Sequence, residues 1–161
     1  MANTQAMCTS FLGEILTATH NFGTAPVRAV TTPDVFKAAL YLQSATLNAS
    51  TTVYSATGEV SGTNYIAGGV TITGSPAWNA PTATNSSTTA GTAFTTPTAS
   101  ITYTTVTLGT AFDTVFIYNS TQSNKAVSVH TFGAQTITAG TFTLTMPANT
   151  TAAALLRIAT T

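Results

Sequence analysis

The chain has 161 residues, a formal net charge of zero and a charged fraction of 5%, against about a quarter in an average soluble protein. Its length suits one domain spanning 1–161. Charge this sparse excludes an electrostatic nucleic-acid binder, because neutralising phosphates takes several clustered basic residues and Arg28, Lys37, Lys125 and Arg157 stand singly.

From the start, Met1 to Met7 shows neither a positive region nor an apolar core, so no signal peptide is expected and synthesis is expected in a cytoplasm. Cys8 stands alone, which rules out an internal disulfide and suits a small buried thiol better than a nucleophile paired with His20. Phe11, Leu12, Ile15 and Leu16 follow helical spacing, and the pattern predicts a short helix over 9–19 with Thr9 or Ser10 as cap. Gly13 weakens that helix by about 1 kcal/mol relative to alanine.

Thr32-Pro33-Asp34 is a turn signal, and Val35 to Leu42 is apolar on both faces, as in a central strand or one covered by a second layer. Gly58, Gly62, Gly68 and Gly69 read as turns, since no Lys-Ser/Thr ending follows them to complete a phosphate cradle. Val70 and Ile72 alternate with Thr71 and Thr73 as on a half-buried strand. Gly74 to Thr98 is the longest irregular stretch and holds the only tryptophan. A long loop is expected there, serving as an arm with Trp78 as a possible interface anchor, or else folding back with Trp78 as a lid on its own core.

In Ile101 to Leu108 the apolar residues change parity, which predicts a bulge near Thr104–Thr105. Thr114 to Tyr118 is a second doubly apolar strand, followed by the polar turn Asn119 to Lys125. Gly133, Gly140 and Pro147 to Asn149 are further turn signals, between which Phe142, Leu144 and Met146 alternate with Thr141, Thr143 and Thr145. Leu156 and Ile158 bracket Arg157 in the same way. With threonine at about a quarter of the chain, the fold class is mainly β: an antiparallel β-sandwich or barrel with a short N-terminal helix.

Chemistry is scarce. Acid–base work has only Glu14, Asp34, Glu59, Asp113, His20 and His130 to draw on, and none falls in a catalytic spacing. Asp34 and Asp113 read as turn residues, His20 as hydrogen-bonded at a helix end and His130 as seated on a sheet face. No Cys-x-x-Cys, His-x-x-x-His or acidic calcium loop occurs, so neither catalysis nor a metal or cofactor is expected. Asn48, Asn85, Asn119 and Asn149 open Asn-x-Ser/Thr triplets that read as composition. With so few titrating groups, stability is expected to vary little between about pH 4.5 and 8.5. Mean hydropathy is +0.27, yet no run approaches the roughly 18 apolar residues of a spanning helix, so no membrane partner is expected.

The segments Asp34–Tyr41 (DVFKAALY), Gly58–Gly69 (GEVSGTNYIAGG), Phe116–Gly133 (FIYNSTQSNKAVSVHTFG) and Gly140–Pro147 (GTFTLTMP) resemble, in the same order, small virion structural proteins of tailed bacteriophages. The likeness carries no mechanistic motif and therefore no functional residue. It implies residence in a virion, as a capsid decoration or cement subunit bound to the major capsid protein, or alternatively as a tail, adaptor or head-fibre subunit. A near-neutral chain also lacks the repulsion that keeps copies apart, so a homo-oligomer is expected, a trimer first. A carbohydrate-binding module is a further alternative, which would need Trp78 exposed as a stacking platform.

Overall fold

A computed structural model of the chain describes residues 2–22, 32–84 and 91–159. Arg28, Asn85 and the 85–90 part of the expected loop lie outside them. In chain order the elements are β1 (Ala6–Met7), α1 (Thr9–Leu16), β2 (Phe36–Leu42), β3 (Val70–Thr71), β4 (Thr82–Thr84), β5 (Thr92–Thr95), β6 (Ile101–Asn119), β7 (Lys125–Leu144) and β8 (Leu156–Ala159). They form two antiparallel sheets, one of five strands in the order β1-β7-β6-β2-β3 and one of three in the order β4-β5-β8. The fold is mainly β and sandwich-like, with one short helix. No described helix is long and apolar enough to cross a membrane.

β2 and the second half of β6 are buried on both faces, which is why their sequences show no alternation: Phe36, Ala38, Ala39, Leu40 and Tyr41 face Phe112 and the run Val115 to Tyr118 across one ladder or flank it. Beside β2 the chain passes so closely that a Cβ on Gly69 would lie 1.8 Å from the Ala38 carbonyl oxygen, at a φ of +71°. Only glycine fits there. The parity change in β6 is a bulge as expected, with Thr105 at φ 54° and the β6–β7 register slipping between Tyr103 and Val106.

Three expectations need correction. Gly133 and Gly140 are not turns but lie inside β7, which runs unbroken for 20 residues because pairing to β6 carries the backbone across both glycines; Gly140 faces Val106 in that ladder. The helix ends at Leu16, its cap is Cys8 without a side-chain capping bond, and only Phe11 and Ile15 face inward. Leu12 and Leu16, expected on the buried face, are 43% and 89% exposed. Finally, 74–98 is no strandless loop. β4 and β5 fall within it, invisible as pattern because Phe94 is their one large apolar residue; β5 gains its second partner from β8, more than fifty residues on in the chain.

Trp78 takes the lid position. It is 1% exposed and meets Phe22 and Phe36 edge-on at centroid distances of 4.9 and 5.4 Å. Asn79 and Thr96 backbone groups bond beside it, with the Thr98 N–H donating to the Ala77 carbonyl. The ring thus joins the second sheet's approach to the core of the first, and it leaves no area for a neighbour or a stacked sugar.

Candidate functional site

All four carboxylates of the chain are hydrogen-bonded within it. Glu14, on the last turn of α1, accepts from Lys125 Nζ at 2.5 Å and lies 2.7 Å from His20 Nε2. Burial opposes ionisation of Glu14, but the Lys125 and His20 hydrogen bonds outweigh it and hold its pKa below the usual carboxylate value. The His20 imidazole is wholly shielded from solvent, and burial lowers its pKa against the opposing pull of Glu14 and Asp34.

Asn119, at the end of β6, fixes the histidine tautomer. Its Oδ1 accepts the Thr121 and Gln122 N–H groups at 3.1 Å each, which orients the amide and aims Nδ2 at Asp34 Oδ2 (2.7 Å) and His20 Nδ1 (2.9 Å). Nδ1 must therefore accept, and Nε2–H donates to Glu14. Asp34 also receives the Asn21 N–H at 2.9 Å and Gln122 Nε2 at 3.1 Å. The expected helix-end histidine is thus the centre of a network joining α1, the entry to β2 and the β6–β7 turn. Asp34 keeps its expected place at the strand entry, whereas Asp113 sits inside β6, bonded to Asn3 Nδ2 and Thr114 Oγ1.

The second network gathers all five tyrosines of the chain around Glu59. Glu59 accepts from Tyr54 and Tyr65 hydroxyls at 2.6 and 2.7 Å and from the Gly68 N–H at 2.8 Å. Tyr118 and Tyr103 donate to the Gly68 and Ala38 carbonyls at 2.7 and 2.8 Å, and Tyr41 donates to the Ser55 carbonyl. Burial and then the Glu59 charge push the phenols up, Tyr118 to about 12. Phenols so disfavoured as anions are not acids at neutral pH; they are donors that pin the 54–69 excursion to the main sheet. Sequence spacing could not show this, since the five arrive from two strands and from the connection between β2 and β3.

One nucleophile–base distance occurs that the sequence reading missed. Ser128 Oγ lies 2.9 Å from His130 Nε2, an i, i+2 pair on one face of β7. Burial pushes His130 down to about 4, Ser128 is 1% exposed, and no third side chain bonds the imidazole among the described residues. The imidazole is thus a weak base and the hydroxyl beside it is covered. Cys8 is wholly buried with its thiol pushed up to about 11 by burial and then by Glu14, as a packing residue would be. Among the described residues no three metal-ligating side chains converge.

Among the described residues, two clefts border the three-stranded sheet. One of about 480 Å³ lies between β1–β7 and β8, bordered by Gln5, Ser128, His130 and Arg157. The other, of about 400 Å³, is almost wholly apolar and lies between α1 and β5–β8, bordered by Phe11, Ile15, Phe22, Phe94 and Ile158. Searches against protein-family models, curated proteins and solved structures match nothing to this chain.

Proposed function

We propose that the chain is a structural subunit of a tailed-bacteriophage virion, made in the host cytoplasm, which decorates and stabilises the shell by packing against the major capsid protein or other virion proteins and against its own copies. The observation that carries this reading is where the charges are. Every carboxylate is engaged inside the chain, and 60–112 contains no charged residue at all. Among the described residues, what faces outward is mostly threonine, alanine and other small or polar residues, with Arg157 and single apolar side chains such as Val35, Val53, Ile66 and Leu16. Such a surface suits close packing against neutral neighbours, with little repulsion between like copies. The resemblance in the four quoted segments gives the particle in which that packing serves.

Quantitative mass spectrometry of purified particles tests it. Hundreds of copies per particle are expected for a shell decoration; a dozen or fewer would transfer the chain to a tail, adaptor or head-fibre position, and none would overturn the virion reading.

A further inference from the structure

The outer edge of β7 is open for most of its length. β1 covers it at Ser128 and Val129, and Gln5 still meets Thr131 Oγ1 at 3.5 Å. From 132 to 144 the strand pairs with β6 on its other side, and no other described segment bonds to its backbone. The ladder to β6 also skips from Thr131 to Gln135, and Gly133, Ala134, Gln135 and Thr136 are all exposed.

An exposed row of backbone N–H and C=O groups is a template for another strand, and chains guard it with charge, proline or a cover. No lysine, arginine, aspartate or glutamate stands between Lys125 and Arg157, and β7 contains no proline. The guards present are slight: the Gln135 amide donates to the Gly133 carbonyl at 3.0 Å, and β7 bulges at Ala139, where φ is 47°.

Length selects the strand that fits. The other described edges belong to β1, β3, β4 and β8, of two, two, three and four residues, and the far side of β6 is taken by β2 and by backbone bonds with Gln43 and Thr63. On a second copy the edge long enough to match β7 is therefore β7 itself. Pairing it with its own copy sets no like charges opposite one another, and Gly133, Ala134 and Thr136 raise no bulk against the approach.

We infer that two copies of the chain join antiparallel along this edge, about a two-fold axis at Gln135, so that their five-stranded sheets run on into one another. Gln135 lies midway between the Gln5 contact at Thr131 and the bulge at Ala139. The partner's β1 then falls beyond the bulge, clear of the paired stretch 132–138. This contact rests on the packing against own copies proposed above, but its test needs no particle, so its failure is told apart from failure of the virion reading, which the copy count decides.

Sedimentation velocity of the full chain at about 100 µM is expected to show a dimer. Gln135→Lys, at an exposed position, sets two ammonium groups opposite each other and is expected to weaken the dimer at least tenfold with the far-UV circular dichroism unchanged. Single cysteines test the register and keep the test open should Gln135→Lys not fold. Residues facing each other in an antiparallel pair have Cα atoms about 5.5 Å apart, within disulfide reach, whereas the two copies of residue 141 would stand about 40 Å apart. Under a mild oxidant Gln135→Cys is therefore expected to form a disulfide-linked dimer at least tenfold faster than Thr141→Cys, with the unaltered chain, whose Cys8 is wholly buried, as background. A monomer or a trimer at that concentration, a dimer that Gln135→Lys leaves as tight as before, or equal crosslinking at 135 and 141 would each overturn the pairing.

Discussion

Replacing Trp78 with alanine should destabilise the isolated chain by about 3 kcal/mol. Truncating a buried aromatic to alanine costs about 3–5 kcal/mol through lost transfer energy and the cavity left behind, and the ring is 1% exposed. Its two edge-on contacts, with Phe22 at 4.9 Å and Phe36 at 5.4 Å, place the cost toward the upper part of that range. One term runs the other way. The indole Nε1 is buried with no hydrogen-bond partner among the described residues, a state that costs about 1–3 kcal/mol and disappears with the ring. Urea unfolding followed by far-UV circular dichroism measures the balance. With a slope of about 1–3 kcal/mol per molar, the midpoint should fall by at least about 1 M. A change under about 1 kcal/mol would mean that the ring contributes nothing to its own chain, and Trp78 would return to the role of an arm waiting for a neighbour.

Further outcomes follow from the same structure. Gly69→Ala should prevent folding or cost more than about 3 kcal/mol, read as loss of soluble folded protein, because a Cβ there collides with the Ala38 carbonyl at 1.8 Å. Glu59→Ala should cost about 2–3 kcal/mol in urea melts, since it strips the acceptor from Tyr54, Tyr65 and the Gly68 N–H at once; Tyr54→Phe should cost about 1 kcal/mol. Stability should decline in acid rather than stay flat as the composition suggests. His130 falls from an ordinary 6.5 to about 4 in the folded chain, so the unfolded chain binds more protons between those values. Stability is then full above about pH 6.5 and is lost as pH falls toward 4, by about 2 kcal/mol for this partly covered ring. Urea midpoints at pH 7.5 and 4.5 for the wild type and His130→Gln check it, the variant losing that share of the slope.

What the sequence made legible is what burial writes into it directly. The doubly apolar runs became β2 and the inner half of β6, the parity change became the bulge at Thr105, and Phe142 and Leu144 alternate with exposed threonines as expected. What stayed hidden depends on partners distant in the chain. β4 and β5 carry too few large side chains to announce themselves and exist through pairing with each other and with β8. Gly133 and Gly140 signal turns locally, but a 20-residue ladder overrides them. The two carboxylate networks were equally out of reach, because Asn119 meets His20 across 99 residues and Tyr103 meets Ala38 across 65. The sparse charges looked like an absence of chemistry; folding draws all four carboxylates into hydrogen bonds, Glu14 with Lys125 and His20 and the other three with neutral partners.

Packing through a sparsely charged exterior is the central claim, and binding to particles at two salt concentrations tests it most directly. On the proposed virion role, purified chain is co-sedimented with phage particles stripped of it, at 0.05 and 1 M sodium chloride (about 14 and 3 Å of screening length). Packing through uncharged surfaces predicts saturable rebinding whose affinity changes by less than about threefold between the two. Failure to rebind at either salt, or a loss of about tenfold or more at high salt, would contradict it.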